Sequence, residues 1–105
     1  MSHVIEWAPF SLVEGTEESA LLAASDALQK NFLSRQPGFV ERDLLRVGPN
    51  RFVDLVKWQS REAVDHAMKA VEQSEACHAY FRLMVLDGAD PGAAMTFGES
   101  LRRYQ

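Results

Sequence analysis

Apolar and polar residues recur along the chain with two different periods, which predict strands and helices in a fixed order. His3–Phe10 has apolar residues on both alternating faces, broken only by Glu6, and this pattern indicates a first strand with neighbours on each side. Thr16 is a plausible N-cap for the helix that follows. The predicted helix has one apolar stripe at helical spacing, formed by Leu21, Ala24, Ser25, Leu28 and Phe32.

The first helix is predicted to stop at a Pro-Gly pair. Pro37 lacks a backbone donor and disfavours helical geometry at the residue before it, and Gly38 lets the chain turn. Two runs with strand character follow, Phe39–Val47 and Phe52–Gln59, and the Gly-Pro-Asn cluster between them predicts a hairpin. The hairpin register stays open, because a slip of one residue exchanges the two faces of a strand.

A second and a short third helix are predicted after the hairpin. Ser60 is the predicted N-cap of the second, and a break near Gln73 precedes the third. Ala93–Tyr104 is the predicted last strand, with Leu83–Leu86 as the alternative because Gly98 weakens a strand interior. The apolar stripes of the two helices are Ala63, Val64, Ala67, Met68 and Val71, then Ala76, Ala79, Tyr80 and Leu83.

This order predicts a single α+β domain over residues 1–105, a ferredoxin-like βαββαβ sandwich with an antiparallel sheet. Helices in such a fold cover one face of the sheet only. The other face would expose large apolar side chains, a pattern that marks interaction surfaces. The same sheet of a second copy would cover this face most simply, so we expect a homodimer formed through the open sheet face.

Composition removes several classes of function. The net charge of −4 and the absence of a basic run argue against nucleic acid as a partner. No apolar stretch approaches the roughly 20 residues that span a bilayer, so no membrane partner is expected. No Lys or Arg precedes Lys30, which argues against a secretory leader. Cys77 is the single cysteine, shares no ligand-like spacing with the histidines, and so predicts a cytoplasmic protein without a metal site.

Two segments of the sequence resemble a known family. Phe32–Phe39, followed by Val53–Ser60 with its Trp-x-Ser ending, is similar to the dimeric α+β barrel superfamily, and more narrowly to the antibiotic-biosynthesis-monooxygenase-like domain. The resemblance covers about Val4 to Tyr104 and implies a dimeric α+β barrel. The superfamily contains cofactor-free monooxygenases of polyketide quinones, haem-degrading monooxygenases, isomerases and members without a known activity.

The residues that such relatives use are only partly present. Quinone-forming members resemble this chain in a Trp at the end of the third strand, matched by Trp58, but Asp54 stands where they carry an Asn. An ionised Asp only accepts hydrogen bonds and so cannot replace that amide donor. Haem-degrading members have a His that His78 resembles, together with a first-strand Asn and a second-helix Trp. This chain has no such Asn, and Ala67 and Met68 where that Trp would stand.

Two acids on apolar faces are the first candidate site residues. Asp54 lies between apolar neighbours on its strand, and it is either paired with Arg42 or Arg46 of the adjacent strand or a base with a raised pKa. Glu6 has the same two explanations, a structural pair or a functional acid. We favour the structural pair for Asp54, because an unpaired buried carboxylate is costly.

The other candidates are aromatic residues and a histidine. Trp58 is either a core or interface aromatic or a wall that stacks on a substrate, a role that Tyr80 would share. His78 lies off the apolar stripe of its helix, facing either solvent or a pocket. The candidate set is therefore Asp54 and His78 as catalytic residues, with Trp58, Glu6 and Tyr80 as substrate-binding residues.

Three functional hypotheses remain open. The first is a cofactor-independent monooxygenase-like enzyme or binding protein for an aromatic or polyketide-like compound, with a pocket between sheet and helices. The second is a non-catalytic dimeric module that binds a small ligand or only itself. The third, haem handling, rests on His78 alone.

Overall fold

The chain builds one antiparallel sheet with helices on one side, as the computed structural model of residues 3–85 and 95–105 describes it. The strand order is β2-β3-β1-β4, which confirms the ferredoxin-like α+β prediction. In chain order, the elements are β1 (Val4–Phe10), α1 (Glu18–Asn31), β2 (Phe39–Gly48), β3 (Arg51–Trp58), α2 (Arg61–Val71), α3 (Glu75–Phe81) and β4 (Thr96–Glu99).

The hydrophobic core lies between the helices and one face of the sheet. Phe10 stacks on Phe52 across neighbouring strands, with 5.6 Å between ring centroids, and meets Tyr80 of α3 edge-on at 6.1 Å. The predicted stripe of α1 is confirmed, since Leu21, Ser25, Leu28 and Phe32 are buried and Ala24 is partly buried. Val64 and Ala67 of α2 have no exposed surface.

The Pro-Gly pair ends the first helical segment and also lets α2 approach. A short 3-10 turn, Leu33–Arg35, follows α1, and Gly38 then adopts a φ of +84°. A Cβ built on Gly38 would lie 2.5 Å from the Cβ of Ala63 in α2. Gly38 is therefore required both by its left-handed backbone and by the close packing of the first turn of α2.

The hairpin register is now fixed. Phe39 pairs with Trp58 and Leu44 with Asp54, with irregularities between Phe39 and Glu41 and again between Arg46 and Gly48. These irregularities are β-bulges, which shift the pairing by one residue. The register places Asp54, Val56 and Trp58 on the helix-covered face of β3, where all three are buried.

Two details of the sequence prediction are corrected. Glu17, not Thr16, is the N-cap of α1, and it makes no side-chain cap bond; the Thr16 N–H instead donates to the Val13 carbonyl in a turn. The last strand is shorter than predicted, since β4 covers only Thr96–Glu99, and Ala93 lies outside the described residues. In the alternative segment, Met84 makes an isolated bridge with Leu12, and Leu86 is again outside the described residues.

The opposite face of the sheet, which we call the open face, carries the alternate residues of the same strands. Its centre is Trp7, which pairs with Leu55 of β3 and is 43% exposed. Ile5 and Pro9 flank Trp7 on the same face. No helix within residues 3–85 or 95–105 is long and apolar enough to cross a membrane.

Candidate functional site

A row of polar side chains crosses the buried face of the sheet beneath the helices. Glu6 of β1 and Arg42 of β2 both pair with Val56 of β3, so they flank that residue at one level. Asp54 lies one step further along the same face of β3, and Tyr80 approaches from α3. Glu6 and Asp54 are each only 7% exposed, which is unusual for carboxylates.

Asp54 is the centre of a hydrogen-bonded cluster. Arg42 Nε donates to its Oδ1 at 2.8 Å, and the Tyr80 hydroxyl donates to its Oδ2 at 2.6 Å. Arg42 also donates to the Tyr80 oxygen at 3.1 Å and to the backbone carbonyl of Ser25 at 3.3 Å. Four elements, β2, β3, α1 and α3, are therefore tied together by one guanidinium and one carboxylate.

This geometry decides between the two arginines that the sequence offered. Arg42 is the partner of Asp54, which confirms the structural pair, whereas Arg46 bonds to Glu18 at the surface. Arg42 pairs opposite Val56, and its long side chain reaches diagonally to the next residue on that face. Which of the two arginines pairs with Asp54 therefore depends on the register of β2 against β3, which the sequence left open.

The charges in the cluster are fixed by its surroundings. Burial by itself would lower the pKa of Arg42, but the Asp54 carboxylate beside it raises that pKa above its usual value. Burial, reinforced by the same carboxylate, raises the pKa of Tyr80 well above its ordinary value, so its hydroxyl stays neutral. Both oxygens of Asp54 already accept strong hydrogen bonds, which leaves this carboxylate poorly suited to take a proton from a ligand.

Glu6 is in a different situation. Its Oε1 accepts one hydrogen bond, from the Trp58 indole Nε1 at 3.1 Å. Burial raises the pKa of Glu6, and the nearby Asp54 carboxylate raises it further, against the lowering effect of the Trp58 bond and of Arg42. Glu6 is therefore a buried acid that holds its proton more tightly than an ordinary glutamate, a property that buried catalytic acids and bases share.

Trp58 belongs to the core rather than to the open face. It is 1% exposed, and Phe39 meets its ring edge-on at 5.9 Å between centroids. Its indole N–H orients Glu6, so the aromatic residue and the acid that the sequence singled out separately form one pair.

The structure does not bring His78 to this group. Its side chain is 44% exposed, and its Nδ1 lies 4.0 Å from the Glu75 carboxylate of the same helix. Tyr80, two residues later, points inward to Asp54. Four of the five sequence candidates thus share one buried region, and His78 lies at the surface of α3.

The link between Tyr80 and Asp54 was not predicted from the sequence. The available signal was the position of Tyr80 on the inward stripe of α3, because a buried phenol needs a hydrogen-bond partner. Its partner is a residue 26 positions earlier, on another element. Ser25, which accepts from Arg42 through its carbonyl, carried no signal in its side chain.

A cleft of about 220 Å³ lies at the β2 edge of the molecule, away from these polar residues. It does not reach Glu6, Asp54 or Trp58, and its lining residues are Glu18, Leu21, Leu22, Leu44, Leu45, Arg46 and Phe52. No group of three or more potential metal ligands occurs in residues 3–85 and 95–105. Within that range, the chemistry on offer is therefore that of carboxylates, a phenol and a guanidinium.

Known proteins with this fold include oxygenases. Residues 8–83 match the family model described as antibiotic biosynthesis monooxygenase. SnoaB, a cofactor-independent oxygenase from Streptomyces nogalater, superposes with a TM-score of 0.69 at 20% identity, over 100% of this chain and 97% of that one. Rv0793 from Mycobacterium tuberculosis gives 0.68 at 23% identity, over 99% and 100%.

A haem-degrading protein of the same fold is more distant in structure. Rv3592 from Mycobacterium tuberculosis gives a TM-score of 0.58 at 17% identity, over 98% of this chain and 99% of that one. Identities this low establish a shared fold only. No curated protein matches the sequence.

Proposed function

The chain belongs to the antibiotic biosynthesis monooxygenase family, and from this premise we propose that it oxidises a hydroxylated aromatic or polyketide-like compound with dioxygen and without a bound cofactor. The observation that carries the proposal is the buried Glu6 carboxyl, held by the Trp58 indole and close to a second buried acid. A raised pKa suits a general base that must accept a proton from a weakly acidic phenol or enol.

In this scheme, Glu6 removes one of the two hydrogens of the substrate CH₂ carbon as a proton, or the same hydrogen from the enol tautomer, and leaves an electron-rich anion. The anion transfers electrons to dioxygen and forms a carbon–oxygen bond. One oxygen atom stays in the product as a carbonyl, and the other leaves as water with the two hydrogens of the oxidised CH₂ carbon. Dioxygen is the oxidant, the carbon is oxidised from CH₂ to C=O, and Glu6 returns its proton to the departing water.

The other buried residues then have supporting roles. Trp58 fixes the position of the Glu6 carboxylate through its indole N–H. The cluster of Asp54, Arg42 and Tyr80 fixes the floor of the site, with Asp54 as a positioning residue rather than a base. His78 has no part in this scheme.

Oxygen uptake with a panel of polycyclic phenols and anthrones tests the proposal. Glu6→Gln keeps the acceptor for the Trp58 N–H and removes the proton acceptor, so we expect the rate to fall by about 10²–10⁴-fold. Glu75→Gln, an exposed acid on α3, and His78→Ala serve as matched controls and should leave the rate unchanged. The proposal is wrong if the wild-type protein consumes no oxygen with any member of the panel, or if Glu6→Gln retains full activity.

A second candidate is a dimeric module without catalysis. Trp58 and Tyr80 are each 1% exposed, and both oxygens of Asp54 have partners, so this part of the interior is densely packed and hydrogen-bonded. Thermal-shift measurements with the same phenols separate the two functions. Binding without oxygen uptake favours the module, whereas oxygen uptake that depends on Glu6 favours the enzyme.

We further propose that the working form is a homodimer through the open face. Trp7 and Leu55 lie side by side at the centre of that face and stay partly exposed in one chain. A second copy would bury both. Cys77 is a buried free thiol, which fits a reducing compartment, and we place the protein in the cytoplasm on that basis.

A further inference from the structure

The carboxyl group of Glu6 has one oxygen left for a ligand. Its Oε1 accepts from the Trp58 indole, whereas no hydrogen bond from residues 3–85 or 95–105 reaches its Oε2. Asp54 differs, because both of its oxygens accept hydrogen bonds. A base acts through an oxygen that a substrate can reach, so the route from solvent to this oxygen decides which molecules the site admits.

The shortest way from solvent to Glu6 passes the Phe97 ring. Glu6 pairs with Val56 of β3 on one side and with Phe97 of β4 on the other. Directly paired residues share a face of the sheet, so Phe97 stands beside Glu6 under the helices. Because β4 is an edge strand and Phe97 is only partly buried, the Phe97 side chain separates Glu6 from water at this edge, among residues 3–85 and 95–105.

A guanidinium covers the Phe97 ring from the helical side. Arg61 is the first residue of α2, and its Cζ lies 4.5 Å from the centroid of that ring, which is a cation–π contact. Asp65, one turn later, forms an ion pair with the Arg61 Nε at 3.4 Å and holds the guanidinium in this position. The Arg61 side chain is nevertheless 59% exposed. The ring therefore lies at the rim of the covered face, under a cation that solvent can reach.

The other edge of the sheet offers no comparable route to Glu6. The cleft at the β2 edge is lined by Leu44 and does not include Glu6. Strands β2 and β3 lie between that edge and β1, and their covered face is crossed by the ion pair of Arg42 and Asp54. A ligand for Glu6 therefore meets a hydrogen-bonded cluster from the β2 side and a single aromatic ring from the β4 side.

The contact between Arg61 and Phe97 is also one that an aromatic ligand can take over. A guanidinium is attracted to the face of any aromatic ring, and a negative charge on a phenolate or enolate adds to that attraction. We propose that Phe97 and Arg61 form the entrance to Glu6. The Phe97 ring closes the β4 edge and rotates outward when a planar hydroxylated aromatic ring enters, and Arg61 then stacks on the ring of the ligand. The inference rests on the proposed function and adds the route of entry and the residue that recognises the ring.

Exchange of the Trp58 indole proton with solvent tests the entrance without catalysis. This proton lies on the nitrogen that donates to Glu6, so its exchange rate reports the access of water to that carboxylate. Phe97→Ala removes the ring, and we expect the indole proton to exchange severalfold faster in an NMR measurement. Phe97→Leu keeps an apolar side chain at the rim and should stay close to the wild type.

Two controls separate an open entrance from a loosened protein. The backbone amide protons of β3 are the internal reference, because lower overall stability would accelerate them together with the indole proton. Leu44→Ala makes a gap at the opposite edge of the sheet and should leave the indole proton unchanged. The proposal is overturned if Phe97→Ala has no effect on the indole proton, if Leu44→Ala has an equal effect, or if indole and amide protons accelerate by the same factor.

Recognition of the ring by Arg61 has its own measurement, which does not depend on the folding of Phe97→Ala. Naphthol is the probe, and the movement of the Trp58 indole signal during a titration gives its Kd. Arg61→Gln removes the cation at an exposed position, so we expect the Kd to rise by about two- to fivefold, the usual strength of such a contact at a surface. Lys69→Gln removes an exposed charge from the last turn of the same helix and should leave the Kd unchanged. An indole signal of the wild type that does not respond to naphthol, or an unchanged Kd in Arg61→Gln, contradicts the proposal.

Neither measurement requires oxygen uptake, so the entrance and the oxygenase can fail separately. A protein that oxidises no phenol, yet shows faster indole exchange in Phe97→Ala and weaker naphthol binding in Arg61→Gln, keeps the entrance and loses the enzymatic scheme. In an active enzyme, Arg61→Gln should raise KM and leave kcat close to that of the wild type, since the stacking contact is made before and during the reaction alike. A fall in kcat at unchanged KM would contradict the role of Arg61 in binding.

Discussion

The two faces of the sheet are built from alternate residues of the same strands, yet they differ in kind. Glu6 is 7% exposed on the helix-covered face, and its neighbour Trp7 is 43% exposed on the open face. The acid is inside and the indole is outside, the reverse of what their polarity favours. The inside position is tolerated because each buried acid accepts a hydrogen bond, whereas the ring of Trp7 remains partly exposed.

This difference shows which face is complete in a single chain. On the covered side, Arg42 donates hydrogen bonds to three elements besides its own strand, so polar and apolar groups are satisfied together. On the open side, Lys57 of β3 and Glu41 of β2 form an ion pair at 3.1 Å, while Trp7 of β1 is 43% exposed. The covered face is a complete core, whereas the open face leaves a large aromatic ring partly exposed, which the proposed dimer would cover.

The largest effect is expected from breaking the covered face at Asp54. Asp54→Asn leaves the buried Arg42 without its counter-charge, so the free energy of unfolding should fall by about 3–5 kcal/mol. Urea denaturation near pH 7 measures the change. Asp26→Asn, an exposed acid on α1, is the matched control and should change little. A more stable Asp54→Asn variant would contradict the ion-pair explanation.

Trp7→Lys should break the open face without disturbing the fold. The large ring is placed at the centre of the expected dimer contact, where a lysine would be both smaller and charged, so the loss in dimer stability should be at least about 2 kcal/mol. Leu22→Lys is the control, since Leu22 is 50% exposed on α1, on the helical side. Sedimentation at low micromolar concentration separates them; a wild-type monomer under these conditions would refute the dimer.

A smaller effect, of opposite sign to that at Asp54, is expected at Glu6. Burial raises the pKa of Glu6, so its contribution to stability is complete below the ordinary value of 4.5 and is lost as pH rises through the folded-state pKa. Glu6→Gln keeps the acceptor for Trp58 and has no charge to bury. The variant should therefore be more stable than the wild type at pH 8, with a flatter dependence of unfolding free energy on pH. Loss of stability at every pH would show that the ionised carboxylate is needed for folding.

We expect that the protein does not bind added haem. His78 is a surface residue beside Glu75, and the residues that accompany such a histidine in haem-degrading relatives are absent from β1 and α2. Titration should give no Soret band that saturates at one haem per chain. A saturating band that disappears in His78→Ala would reverse this conclusion.

The sequence was sufficient for the parts of the fold that depend on neighbours along the chain. Pro37 and Gly38 mark the end of the whole helical segment, although α1 itself ends earlier, at Asn31, and a 3-10 turn fills the gap. The Ser60 cap is confirmed by an Ala63 N–H donating to its hydroxyl at 3.2 Å. The N-cap of α1 was placed wrongly because Thr16 and Glu17 are both near the start, and the turn to Val13 occupies the Thr16 N–H.

The candidate site was less accessible from the sequence, because it depends on contacts between distant residues. Glu6 and Trp58 are 52 positions apart, and Asp54 and Tyr80 are 26 apart, so no local pattern joins them. Arg42 and Arg46 were equally good candidates for the partner of Asp54 until the strand register was known. In the sequence, Glu6 and Asp54 were recognisable only as charged residues in apolar strands. That pattern indicates a site, but it does not identify the residues that bond to the two acids.

The sheet also separates the two tryptophans of the chain, one on each side. Trp58 is enclosed and hydrogen-bonded to a carboxylate, while Trp7 is open to water. Their fluorescence therefore carries two signals from one molecule. A soluble quencher should reach Trp7 first and lose that access when copies associate, whereas emission from Trp58 should change only when the helices leave the sheet or when Glu6 changes its charge. A variant that keeps only Trp7 would report association of copies, and a variant that keeps only Trp58 would report changes in the interior, in both cases without an added label.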